Sequence, residues 1–237
     1  MKTTINTQLE DLYRSHWVKF SSELNKIVNS DEYGVKPTNP LLLKHPDIDS
    51  FESSDIRVMI IGQETNQWEG VFYNNFDDIL NVYPGFYPGY KYGYKGYFKN
   101  HFNNFLELLE QKFPDKKISC FWNNVIKVGK ANDKGAPPKY ILELEQKYFS
   151  VLQDEINIIK PNVVLFYSGY SYDQYIEHQI PNLVKEDIAG FDSNILQLFK
   201  IKNVDFAFRT SHPQRLHFLG KAKYQMIYEE IISKISL

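Results

Sequence analysis

A three-layer α/β/α sandwich, an α/β fold around a central, mainly parallel four-stranded sheet, is what this sequence predicts, and three observations lead there. Four short runs rich in β-branched and aromatic residues lie far apart, at 57–61, 118–122, 163–167 and 204–208. Segments of helical periodicity separate them, and strands that alternate with helices have crossovers long enough for parallel pairing. Each run is followed by polar residues: Gly62-Gln63-Glu64-Thr65-Asn66, Asn123-Asn124, Ser168-Gly169-Tyr170 and Thr210-Ser211-His212-Pro213. In a parallel sheet these ends meet at one edge, where open α/β folds bind ligands.

In chain order, Leu9, Leu12, Tyr13, Trp17, Phe20, Leu24 and Ile27 recur at helical spacing and predict an amphipathic helix over 7–28, entered from Asn6 or Thr7. Pro37, Pro40 and Pro46 make 36–55 an extended connection into the first strand. That strand is apolar throughout after Arg57 and stops at Gly62, a residue that permits unusual backbone angles. A Tyr- and Gly-rich insertion occupies about 75–100, with Lys91, Lys95 and Lys99 among its aromatics. Phe98, Phe102, Phe105, Leu106 and Leu109 then mark a helix before the second strand. A helix over about 139–159 ends at Lys160-Pro161-Asn162 and leads into the third. The chain closes with a fourth strand and a helix over about 219–235.

With 43% apolar and 16% aromatic residues, residues 1–237 suit one domain with a large core. The formal charge of −2 excludes a uniformly positive surface but not a local basic patch. A single cysteine, Cys120, excludes an internal disulfide framework and a thiolate cage for zinc or an iron–sulfur cluster, and points to a reducing compartment. The six histidines lack paired ligand spacing and no phosphate-binding Gly-Lys-Ser/Thr loop is present, so neither metal nor cofactor is expected. The first residues lack the apolar centre of a signal peptide, and no run reaches about 18 apolar residues. A cytoplasmic monomer without a membrane partner is the expectation.

The strand-end residues resemble the uracil-DNA glycosylase superfamily. Its first motif, Gly-Gln-Asp-Pro-Tyr after a strand, is similar to Gly62-Gln63-Glu64-Thr65-Asn66. Its Leu-Leu-Asn motif resembles Phe121-Trp122-Asn123, its strand ending in Trp-Gly resembles the run ending Tyr167-Ser168-Gly169, and its His-Pro-Ser motif resembles His212-Pro213-Gln214, with Leu216 shortly after. The order is conserved across roughly 57–235, and the insertion at 75–100 has no counterpart. Glu64 stands where the family has aspartate, Thr65 where it has proline, and Asn66 where uracil-specific members have the tyrosine that excludes the methyl of thymine. Base identity is therefore open.

The resemblance implies hydrolysis of a base–sugar bond in DNA, single- or double-stranded. Such a reaction needs a supported oxocarbenium-like sugar, a positioned water and a donor for the charge leaving on the base. Glu64 would serve the first two needs and His212 the third. Gln63 and Asn66 would contact the base, and Asn123, or its neighbour Asn124, would read the Watson–Crick edge of an extruded pyrimidine. Trp68, Phe72, Tyr73 and Phe76 follow the first motif where the family stacks an aromatic on the base, and Phe76 is carried as a substrate-binding candidate. Lys91, Lys95, Arg215 and Lys221 would meet phosphates, and Leu216 would replace the flipped base. A non-catalytic nucleic-acid or nucleobase binder on the same fold, or a hydrolase of free nucleosides, are the alternatives.

Overall fold

The structure is a computed structural model that describes residues 3–86 and 96–237. In chain order its strands are β1 (Ile56–Glu64), β2 (Ile118–Ile126), β3 (Val163–Phe166), β4 (Val184–Asp187), β5 (Leu196–Lys200) and β6 (Phe206–Thr210). They form a six-stranded mixed sheet of order β2-β1-β3-β6-β5-β4. The pairs β1–β2, β1–β3 and β3–β6 are parallel, whereas β5 runs antiparallel to both β6 and β4. Val58, Met59, Ile60 and Ile61 of β1 are all fully buried, as a strand covered on both faces requires.

The helices are α1 (Ile5–Asn29), α2 (Ile48–Glu52), α3 (Phe76–Phe86), α4 (Tyr97–Lys112), α5 (Lys139–Tyr148), α6 (Leu152–Ile159), α7 (Asp173–Gln179), α8 (Pro213–Phe218) and α9 (Lys221–Lys234). Strand residues alternate between faces. Met59, Ile61, Phe121, Val164 and Phe166 therefore pack with Leu9, Tyr13 and Phe20 of α1, Ile141 of α5 and Ile156 of α6. Val58, Ile60, Cys120, Val163 and Leu165 meet Phe102, Phe105 and Leu109 of α4 and Ile227 and Ile231 of α9 on the other side. Phe20 stacks on Phe149 at 4.4 Å and 8°, so Phe20→Ala would cost about 3–5 kcal/mol through the cavity it leaves.

Several expectations need correction, the extended connection over 36–55 among them, since it contains α2. The sheet has six strands rather than four, because β4 is wholly exposed and so lacks the apolar alternation that marks a strand, while β5 is a short run paired to it as an antiparallel edge. The helix expected over 139–159 is two, α5 and α6, broken where Phe149 and Val151 turn fully into the core. Residues at the start of the Tyr- and Gly-rich segment form α3, with Pro84 inside it. Lastly, β1 and β2 run on through Glu64 and Ile126, so Gln63, Glu64, Asn123 and Asn124 lie within strands rather than after them. No helix among the described residues is long and apolar enough to cross a membrane.

Candidate active site

Because β1, β2, β3 and β6 are parallel, their carboxyl ends share one edge, and a cleft of about 620 Å³ opens there. Gly62 lies opposite Asn124 in the β1–β2 register. A Cβ on residue 62 would stand 2.4 Å from Asn124 Oδ1 and 3.2 Å from the Phe98 ring, so glycine is what lets the amide lie across β1. Trp68, Tyr97, Phe98 and Trp122 supply apolar wall; Gln63, Glu64, Asn66, Asn124, Lys134 and His212 supply polar groups.

The walls are held from behind. Trp122 stacks against Tyr83 at 6.1 Å and 17°, its backbone N–H donates to the Tyr83 hydroxyl at 3.0 Å, and that hydroxyl donates to the Trp122 carbonyl at 2.6 Å. Trp68 meets Trp122 edge-on at 5.6 Å. The loop after Glu64 is fastened to the segment after β2: a Cβ on Gly129 would fall 1.9 Å from the Thr65 carbonyl oxygen, and Thr65 Oγ1 lies 3.1 Å from Thr38 Oγ1, which accepts from the Gly129 N–H at 2.8 Å. Gln63 Nε2 donates to the Ser168 carbonyl at 2.6 Å and ties β1 to the end of β3.

Glu64 is half-buried and accepts a short hydrogen bond on Oε2 from the Tyr172 hydroxyl. Burial raises its carboxyl above the ordinary carboxylate value, while Tyr172, the charge of Lys130 and the Gly135 amide pull it back down. His212 is also half-buried, and burial lowers its pKa, which favours the neutral ring at pH 7. Its Nδ1 accepts from the Gln214 N–H at 3.3 Å. The proton of the neutral ring is thus on Nε2, which makes that atom a donor.

The cleft brings together Gln63, Glu64, Asn66, Asn124 and His212. It does not include Asn123, which corrects the expected convergence of Glu64, Asn123 and His212. Since β2 continues through Ile126, successive residues point to opposite faces, and Asn123 faces α6 while Asn124 faces the cleft. Asn123 is fully buried; its Nδ2 donates to Glu155 Oε2 at 2.8 Å and its Oδ1 accepts from Lys127. Lys127 also donates to both Glu155 oxygens at 2.7 and 2.8 Å, and the Tyr13 hydroxyl donates to Glu155 Oε1 at 2.6 Å, closing a knot of fully buried groups.

Phe76 likewise lies outside the cleft lining: it packs edge-on against Trp17 at 5.0 Å beneath the Arg14 guanidinium. Leu216 is fully buried among the residues packed on α9 and cannot reach out, whereas Phe218, two residues on, is 71% exposed. Arg215 and Lys221 are exposed; Lys91 and Lys95 lie outside the described residues. Phe98, Trp122, Lys134 and Tyr172 were missed. Trp122 and Asn124 carried a signal, since residues two apart in a strand share a face. Tyr172 carried none, because only the return of the chain after β3 brings it to Glu64. Among the described residues no group of three or more histidine, cysteine, aspartate or glutamate side chains is placed to hold a metal ion. No protein-family model matches the chain, and no curated protein matches it in sequence.

Proposed function

We propose that the cleft hydrolyses a base–sugar N-glycosidic bond in nucleic acid, as the motif order resembling uracil-DNA glycosylases implies. The observation that carries this reading is the shared cleft of Glu64 and His212: an acceptor carboxylate and a neutral Nε2–H donor reached from β1 and β6. Glu64, once ionised, orients a water, supports the cationic sugar and takes the water's proton. The C1′–N bond breaks, its electron pair leaves with the base, the water oxygen bonds to C1′, and His212 donates a hydrogen bond to the base atom on which the charge gathers. Asn124 takes the base-reading role first assigned to Asn123, with one acceptor and two donors. Trp68, Phe98 and Trp122 line the space where a planar base would lie.

A polynucleotide is favoured over a free nucleoside by the cations near the cleft. Lys99 and Lys134 line it, and exposed Arg215, Lys221 and Lys223 stand beyond His212. Phe218 replaces buried Leu216 as the exposed apolar residue of that loop. The second reading, a non-catalytic binder, is favoured by one observation: burial opposes the ionised form of Glu64 on which hydrolysis depends. Incubation with oligonucleotides carrying a panel of modified and deaminated bases, followed by strand scission at abasic sites, separates the two. Base release supports the hydrolase; salt-dependent binding without release supports the binder.

A further inference from the structure

Glu64 is longer by one methylene than the aspartate of the motif it resembles, and a carboxylate misplaced by that much loses most of its value in catalysis. A tyrosine that reaches Glu64 from outside the cleft lining answers this. Gly169, with φ of +73°, turns the chain sharply after β3 into a single 3-10 turn, Tyr170–Tyr172. A left-handed backbone suits glycine there. The turn brings the Tyr172 ring, 7% exposed and braced edge-on by Tyr175 at 5.4 Å, up to the neighbouring strand, where its hydroxyl donates to Glu64 Oε2.

We propose that Tyr172 is the positioning residue of the cleft carboxylate: its hydroxyl fixes the longer Glu64 side chain in the place from which it acts on the substrate. This rests on the hydrolytic reading of the site. A carboxylate has roughly four acceptor positions, so one tyrosine bond leaves room for a water. Tyr172 cannot compete for that role as a base, because burial and the adjacent carboxylate push its own pKa far up and keep it a donor. The other groups that act on Glu64 are Lys130 and the Gly135 amide, with Lys134, Glu69 and His212 also lining the cleft.

The test uses Tyr172→Phe, which keeps the ring and removes the donor, beside Glu64→Asp and the double variant. Carbon-detected NMR titration of the Glu64 carboxyl should show its midpoint moving to higher pH in Tyr172→Phe, with unchanged thermal stability of the remaining fold as control. Single-turnover base release should fall about tenfold or more at neutral pH, with KM little changed, and the acidic limb of the pH–rate profile should move up with the titration. Glu64→Asp should also lose activity, because the shorter side chain withdraws from the hydroxyl, and Tyr172→Phe should then add nothing further. An unmoved Glu64 titration, additive losses, or a Glu64→Asp variant more active than the wild type overturns the proposal. A moved titration in a protein that releases no base from any oligonucleotide supports the Tyr172–Glu64 pairing and overturns the hydrolytic reading instead.

Discussion

Two polar regions lie back to back on β1 and β2, and they are opposite in kind. On one face, Asn123, Lys127, Glu155 and Tyr13 form a closed knot in which each charged or amide group is bonded to another inside the core. On the other, Glu64, Asn124 and His212 line the cleft, the first and last half-buried and Asn124 nearly covered. The closed knot resists change because removing one member strands a buried charge, while the cleft tolerates substitution because water can replace what is lost. Polar residues at neighbouring positions of one strand thus close on one another in the core or line the cleft according to which face they occupy.

The contrast is most easily broken at Lys127. Lys127→Met leaves Glu155 buried and uncompensated and should cost about 3–5 kcal/mol in denaturant unfolding, while Lys127→Met with Glu155→Leu should recover much of it. A loss below about 1 kcal/mol for the single variant would mean that the knot is not dry, since only water could then be solvating the stranded charge.

Glu64→Gln and His212→Ala make the complementary case. Each should lower single-turnover base release by about a hundredfold or more, with oligonucleotide binding nearly unchanged and a melting temperature far closer to the wild type than that of Lys127→Met. If either variant melts as far below the wild type as Lys127→Met does, the cleft is structural and the division between the two faces collapses.

The asparagines sharpen the comparison at adjacent residues. Asn123→Ala should destabilise by about 1–3 kcal/mol, because Lys127 and Glu155 each lose a partner, and should leave base preference alone. Asn124→Ala should do the reverse, relaxing discrimination among bases at little cost in stability. Exchange of the two outcomes would restore Asn123 as the base reader.

The two faces should also respond to pH in opposite directions. Glu145, which accepts from the Lys127 and Val128 N–H groups at 2.9 Å, is pushed by burial up to about 7. Its folded form binds a proton more tightly than the unfolded chain does. The stabilisation is therefore complete below the ordinary value of 4.5 and is lost as pH rises through about 7. Glu145→Gln should therefore raise the melting temperature more at pH 8 than at pH 5. Activity in the cleft should instead rise with pH as Glu64 ionises, from a midpoint above the usual carboxylate range. The smallest effect is electrostatic: Arg215→Glu with Lys221→Glu should weaken oligonucleotide binding and flatten its salt dependence without moving the melting temperature.

By itself the sequence determined the α/β class, the parallel strands at 57–61, 118–122 and 163–167, and the edge at which Glu64 and His212 would meet, because apolar runs of strand length and helical periodicity are local signals. The fourth parallel strand was legible two residues early, since Phe206 and Phe208 read alike from either register. Tertiary structure alone decided the rest. The antiparallel edge depends on β4 pairing with β5 and β5 with β6, and β4, exposed at every position, left no apolar pattern in Val184-Lys185-Glu186-Asp187. Which asparagine faces the cleft depended on how far β2 continues, a matter of pairing with Glu64 and Gly62 across the strand. The turn of α8 buried Leu216 and exposed Phe218, and Tyr172 reached Glu64 only because β3 lies beside β1. Contacts between residues more than a hundred positions apart are set by topology, on which local side-chain preference is silent.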